Sequence, residues 1–508
     1  MKNTLITTKK NDTITLTVSD FSKGLDITSG ENIASMSTAV SCYNFNFNNG
    51  TLTQGIGVND FLVPTQKLDD SVTTIIHYDD FDYDIKGLCF YRGYSQMHQG
   101  QRDRIVLYAS DNHPWFIAVN TAYPTTTRLV PEYTEKFKGY NLKIASNDVV
   151  VLTSVADGVC VWNGQVQPKS YPNCPTIVSL CEYNKRIYYI TGIDQKTLRY
   201  TSSYNIPLWC DEFDKTAGEG SIEVNDGQGK MNELINFQNH IYIFRDYTIL
   251  KLTHYEDEKN VPSWSNMYHS SDMIYANTIQ LCGYEMIMLT RDGLISFDGI
   301  TAKKLEFGFE NLIRGIDNKH AVSAYHGGKF YLALRANFDD GKVVGCESSE
   351  NCINNCLICF DPLDKTYSIC RGLDIADMIS LQADCLNKLV FCFNVGNTKK
   401  LAELTSDGKF FEDNTQKYWC SPLSDLGYSF KKKVVKEVSL ISKYDCTLTI
   451  FTEKEKKTFK IRGSETISKF PVRLTGKQIG FKIETTEQKA YISNLTLKVN
   501  LVESENLI

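Results

Sequence analysis

Prolines are scarce, 12 in 508 residues, so long proline-rich linkers are not expected. No apolar run approaches the roughly 18 residues that a membrane-crossing helix needs, and no membrane span is expected. The N-terminus, MKNTLITTKKNDTITLTVSDF, lacks the apolar core of a secretory leader. The eight histidines, His77, His98, His113, His240, His254, His269, His320 and His326, never stand in HxH or HExxH. GxSxG, GxGxxG and the Walker phosphate loop are missing too. These gaps remove the sequence signs of zinc hydrolases, α/β-hydrolases and nucleotide-binding enzymes. No catalytic residue and no cofactor is expected.

What is present points to strands. Aromatics make up 12% of the chain, with 28 Tyr and 26 Phe, and aromatics favour pleated, half-buried surfaces. The 16 cysteines come without a leader, so they are expected to be reduced and packed as small hydrophobes. Net charge is −6, unevenly spread. Residues 428–500 carry 16 Lys and Arg against 7 Asp and Glu, a net of +9, which leaves −15 on the rest. The acidic bulk argues against a tight grip on nucleic acid.

One phrase recurs. In EMIMLTRDGLISFDG, residues 285–299, an apolar strand meets a polar turn, a second apolar strand and a closing Asp298-Gly299. Apolar strands of this form begin at Ile105, Val149, Ile187, Ile241, Ile287, Phe330 and Leu389, spaced 44, 38, 54, 46, 43 and 59 residues apart. An alternating strand and a turn precede several of them, as in IVSLCEYNKRIYYI and VSAYHGGKFYLAL. Three or four antiparallel strands repeated at this period predict an all-β chain, a β-propeller of six to eight blades. The stretch 285–299 is then the inner hairpin of one blade. The last spacing is lengthened by an insertion, DDGKVVGCESSENCINNCLIC.

The ends read differently. Residues 1–60 are expected to be an N-terminal arm with one short helix around Ala34–Cys42, residues 61–418 the propeller, and residues 419–508 a C-terminal β-sandwich. KKVVKEVSLIS, CTLTIFTE, KKTFKIRG, FPVRLTG, QIGFKIETT and AYISNLTLKVNLVE supply the short alternating strands of the last, which is expected to fold separately from about residue 425 onward. Phe21, Phe45 and Phe47 in the arm would bury their rings best against a neighbouring subunit.

Two clusters and one basic run could carry chemistry. Cys346, Cys352, Cys356 and Cys359 lie within 14 residues and are candidate ligands of a tetrahedral metal, but their spacing matches no common zinc module, and a mobile hairpin tip with free thiols is the preferred reading. Asp79 to Asp84, DDFDYD, lacks the spacing and glycine of a calcium loop and reads as a solvated acidic loop. FKKKVVK, Phe430 to Lys436, reads as a strand whose lysines block edge pairing.

Residues 20–58, DFSKGLDITSGENIASMSTAVSCYNFNFNNGTLTQGIGV, resemble the opening of phage tail nozzle proteins, also called tubular protein B, and of related head-to-tail stabilising proteins of short-tailed phages. Residues 200–252, with YTSSYNIPLWCDEF and then GEGSIEVNDGQGKMNELINFQNHIYIFRDYTILKL, and residues 418–440, YWCSPLSDLGYSFKKKVVKEVSL, are similar to the same class. The resemblance implies a β-propeller with attached β-domains in the virion, made in the bacterial host cytoplasm. It implies a homo-oligomeric, hexameric ring under the phage adaptor and portal, with other tail proteins as partners. Genomic DNA would pass an acidic lumen without specific binding. It brings no catalytic residue. The rival expectation is a glycan-binding or glycan-degrading tail propeller, whose mark would be a pair of carboxylates on the propeller axis about 5–10 Å apart.

Overall fold

The computed structural model describes residues 12–27, 35–61, 76–77, 83–95, 100–118, 125–129, 131–144, 147–164, 167–171, 174–201, 219–254, 263–383, 386–395 and 398–503. The chain is all-β. Helical pieces among the described residues are single turns, at Ala276–Thr278, Glu310–Ile313 and Gly345–Ser348.

Seven antiparallel sheets follow one another along the chain. Their second strands are Gly100–Ala109, Asn147–Thr153, Arg186–Thr191, His240–Arg245, Glu285–Thr290, Lys329–Leu334 and Leu386–Val395. Each contains one of the seven apolar strands of the sequence repeat. The stretch 285–299 supplies the second and third strands of the fifth sheet, with Thr290 facing Gly293 across the Arg291-Asp292 turn.

The apolar runs follow from burial on both faces of the strand, which erases the period-2 alternation of a half-buried strand. In Glu285–Thr290, Met286 and Met288 join a core shared with the fourth sheet, beside Tyr242 and Phe244. The intervening Ile287 and Leu289 join a core with Phe330 and Leu332 of the sixth. The same division holds along the chain. Val106 and Tyr108 meet Val150 and Leu152 of the second sheet. Val149 and Val151 meet Ile187 and Tyr189 of the third, and Tyr188 and Ile190 meet Ile241 and Ile243 of the fourth. Tyr331 and Ala333 of the sixth meet Leu389 and Phe391 of the seventh. The seventh in turn shares Val390 and Cys392 with Ile105 and Leu107 of the first. Each fully buried side chain of this kind contributes about 1.5–3 kcal/mol.

The seventh sheet takes its fourth strand from far away in sequence. Gly57–Asp60 pairs antiparallel with Thr398–Thr405, Val58 facing Leu404. Val58 is fully buried in the core between the sixth and seventh sheets.

Two more sheets contain the C-terminal strands, which match the six expected segments: a six-stranded sheet holds Lys431–Ser442, Ser464–Gly476 and Tyr491–Glu503, and a five-stranded sheet holds Cys446–Thr452, Lys456–Ile461 and Ile479–Thr485. Residues 12–27 and 35–54 are not an extended arm here. Thr13–Val18 pairs with Tyr491–Glu503, and so does the hairpin strand Thr51–Gln54. Ser41–Tyr43 pairs with Lys417–Cys420, which lies beside Ile479–Thr485. The helix expected around Ala34–Cys42 is absent over 35–42, where turns lead into that strand; Ala34 lies outside the described residues. Phe21 and Phe45 are buried within their own chain, Phe21 edge-on to Trp419 at 5.2 Å. The expectation that a neighbouring subunit covers them is therefore corrected. The strand pattern explains the change: Thr13–Val18 alternates half-buried Thr with buried Ile14, Leu16 and Val18, so it has an apolar face to bury, and the six-stranded sheet offers the edge.

Candidate functional site

The first strands of six of the seven sheets line one cavity of about 1040 Å³. In its lining and in the strands behind it, polar side chains tie neighbouring sheets together. Asn141 of the second sheet accepts from Arg92 N of the first at 2.9 Å, and its amide donates back to Phe90 O. Tyr140 OH donates to Val178 O of the third at 3.4 Å. Ser179 Oγ donates to Glu233 of the fourth at 2.5 Å and accepts from Leu234 N at 3.0 Å. Tyr242 OH of the fourth donates to Gly299 O of the fifth at 3.0 Å. Gln280 Nε2 of the fifth donates to Ser323 O of the sixth at 3.0 Å, and His326 Nδ1 of the sixth meets Ser380 Oγ of the seventh at 2.9 Å. Asp377 of the seventh accepts from Leu88 N of the first at 2.8 Å.

Two carboxylates face this cavity, and both are held by lysines. Glu233 binds Lys138 Nζ at 2.6 Å, and Asp377 binds Lys136 Nζ at 2.7 Å. A carboxyl pair that works as acid and base needs one member free to carry a proton. Here each is an acceptor fixed by a cation and by hydrogen bonds from a neighbouring sheet. Burial pushes His326 below the ordinary imidazole value, so it is neutral and acts as a hydrogen-bonding bridge. Burial, with Glu233 beside it, pushes the Tyr140 phenol well up, so it stays a donor. The arrangement holds neighbouring sheets in register.

A second polar cluster sits where the sixth sheet meets the C-terminal strands. Arg371 closes the strand Thr366–Arg371 and is fully buried. Its guanidinium grips Glu347 through Nε and Nη2, both at 2.7 Å, and Asp340 through Nη1 at 2.7 Å. Nη2 also donates to Lys342 O at 3.0 Å. Its flat faces lie over the rings of Phe338 and Tyr43, 3.9 and 4.8 Å from the centroids. Lys342 reaches across to Glu484 at 3.3 Å and stands 3.3 Å from the Tyr418 ring centroid. The inserted segment between Lys329–Leu334 and Cys356–Asp361 is thus the tie between the sixth sheet and the five-stranded sheet.

The four candidate cysteines do not converge. Cys346 and Cys352 meet, with sulfurs 3.7 Å apart. Cys356 and Cys359 lie on opposite faces of their strand, one in the core shared with the fifth sheet and the other in the core shared with the seventh. Among the described residues, no group of three or more His, Cys, Asp or Glu side chains has metal-binding geometry, and the fourteen described cysteines are free thiols. Of DDFDYD, only Tyr83 and Asp84 are described; Asp84 caps Lys399 N at 3.2 Å. The basic run splits by strand parity. Lys432 and Lys436 face solvent, whereas Lys433 points inward to Tyr428 O. The Ser203–Trp209 part of the resemblance lies outside the described residues.

Arg371, Glu233 and Asp377 went unnoticed in the sequence. One signal was there: an arginine ending an apolar strand just before a turn, in SICRGLD and again in YIFRDY. Arg245 of the second phrase is also buried, and it binds Asp226 at 2.6 and 2.9 Å. A scan of the chain against models of protein families finds no match, and neither does a search of curated proteins.

Proposed function

We propose that the seven sheets form a seven-bladed β-propeller closed by Gly57–Asp60 on its last blade, with the two remaining sheets as a β-sandwich, and that the chain is a structural protein of a phage tail. In this reading it is a copy of the nozzle or head-to-tail ring through which the genome leaves. The cycle of shared cores from the first sheet to the seventh and back supports the propeller. The single observation that carries the functional reading is that both axial carboxylates, Asp377 and Glu233, are bound by lysines in inter-sheet bridges. The place where a propeller hydrolase would keep its acid and base is filled by cross-links, which suits a rigid building block.

Charge supports assembly. The outward face of the six-stranded sheet displays Lys432, Lys436, Lys469, Arg473 and Lys498, with Glu437 paired to Lys498 at 2.8 Å. The remainder of the chain is acidic, so copies arranged head to tail bring opposite charges together. A head-to-tail contact that closes gives a cyclic oligomer. DNA then passes between the copies rather than through the propeller axis, where a cavity of about 1040 Å³ is too small for a duplex.

Cryo-electron microscopy of the chain mixed with its adaptor, or of intact particles, tests this reading. A symmetric ring with an acidic lumen wide enough for duplex DNA is expected. A monomer that binds or cleaves a glycan at the Glu233–Asp377 cavity would overturn it in favour of the glycan-degrading tail propeller.

A further inference from the structure

The insertion between Lys329–Leu334 and Cys356–Asp361 carries two thiols in contact. Cys346 and Cys352 have their sulfurs at 3.7 Å. The backbone between them is a chain of tight turns, with Glu347 N donating to Val344 O, Ser349 N to Cys346 O and Cys352 N to Ser349 O, at 3.3, 2.9 and 3.1 Å. Both flanks are anchored. Glu347 is gripped by Arg371, and Asp374 accepts from Ile353 N and Asn354 N at 3.0 and 2.8 Å. The two sulfurs need only a small approach to reach the bonded distance of about 2.0 Å.

Access and reactivity together separate this pair from the other described thiols; Cys420 is also half-buried, but burial pushes its thiol up. Cys346 is half-buried, and Cys352 lines an open polar cavity of about 800 Å³ with His320, Arg335 and Lys399. A hydrogen bond from Cys346 and the nearby Arg335 guanidinium hold the Cys352 thiol below its ordinary value. Burial instead pushes the thiols of Cys42, Cys89, Cys181 and Cys392 well up. A thiolate is the nucleophile in disulfide exchange.

We infer that Cys346 and Cys352 are a dithiol oxidation site, which a low-molecular-weight disulfide converts to an intramolecular disulfide that clips the 346–352 turn shut. The Cys352 thiolate attacks one sulfur of the small disulfide; that S–S bond breaks, one small thiolate leaves, and a mixed disulfide forms on Cys352. Cys346 loses its proton to solvent and attacks the Cys352 sulfur, displacing the second small thiolate. Two protein thiols are oxidised and one small disulfide is reduced to two thiols. Because Glu347 lies inside the clipped turn and holds Arg371, oxidation stiffens the tie between the sixth sheet and the five-stranded sheet.

The test uses the full chain and glutathione disulfide. After incubation, free thiols are alkylated in denaturant without reductant, and the adducts are mapped. Protection of Cys346 and Cys352 alone is expected, with a loss of two hydrogen masses and full reversal by reductant. Alkylation of both residues, or equal protection spread over other cysteines, would overturn the inference. Cys346→Ser changes a half-buried side chain and keeps the turn bonds. This variant is expected to stop at one glutathione adduct on Cys352. An unmodified Cys352 in it would show that the attacking thiol is misassigned.

Discussion

Arg371 shows how much one side chain can hold in this molecule. Its guanidinium meets two carboxylates, of Glu347 and Asp340, that are themselves only 8% and 12% exposed. Removing the cation leaves both anions with little water and only neutral donors, Ser41 Oγ and Lys342 N on Asp340 and Val344 N on Glu347, and breaking such a buried pair costs about 3–5 kcal/mol. Arg371→Ala is therefore expected to lower the denaturant midpoint strongly. Arg371→Lys keeps the charge but loses the bidentate fork and the stacking between Phe338 and Tyr43, so it should fall between. A wild-type midpoint for Arg371→Ala, measured by urea unfolding, would remove the cluster from any account of stability. Sequence reading found the insertion but not this residue, because its partners, Asp340 and Glu347, lie 31 and 24 positions away. It read four cysteines as one possible site because proximity in sequence says nothing about which face of a strand each sulfur takes.

At the scale of elements, the seven apolar strands were legible because double-sided burial writes a run that half-buried strands do not have. The partners of the first sixty residues were not. Three of the six strands in one C-terminal sheet and two of the five in the other come from before residue 421. A fragment of residues 421–508 is accordingly expected to give a poorly dispersed amide spectrum alone and a dispersed one when residues 12–54 and 415–420 are supplied with it; a well-dispersed spectrum from the fragment alone would contradict this. Gly55 marks how closely the entering chain is threaded. A Cβ there would lie 2.4 Å from Asn44 O and 2.8 Å from its carbonyl carbon, both backbone atoms that strand pairing holds nearby. Gly55→Ala should cost about 2–3 kcal/mol, read as a lower melting temperature, and a change within error would mean that the segment can shift.

For the whole molecule, the buried thiols set the response to alkali. Burial pushes Cys359 up to about 11 and Cys356 up to about 12, and moves Cys42, Cys89, Cys181 and Cys392 further in the same direction. Below the unfolded thiol value of about 8.5, both states keep these protons and stability is at its full level. As pH rises past it, the unfolded chain loses protons that the folded chain retains, so stability falls by about 1.4 kcal/mol per pH unit for each thiol. Six thiols give ~8 kcal/mol per unit, similar to the entire stability of a typical domain. Lys417 works the other way. Fully buried among carbonyls, it is held down to about 8, and it restores stability as pH rises towards its unfolded value of about 10.4. One such group does not offset six. Under reductant, circular dichroism should show cooperative unfolding at about pH 9 to 10. A denaturation midpoint that stays constant from about pH 8 to pH 10 would refute this.

The sequence by itself determined the all-β class, the period of the repeat and the place of every second strand. It also determined the six C-terminal strands, because alternation and double-sided burial are local patterns that each segment carries alone. Only the tertiary structure decided which strands are neighbours. That Gly57–Asp60 completes the seventh sheet, that Thr13–Val18 lies against Tyr491–Glu503, and that Glu233 faces Lys138 across the cavity are all pairings between residues far apart in the chain. Backbone hydrogen bonds are the same for every partner strand, so the choice among partners rests on the shape and charge of faces that exist only once the sheets have formed.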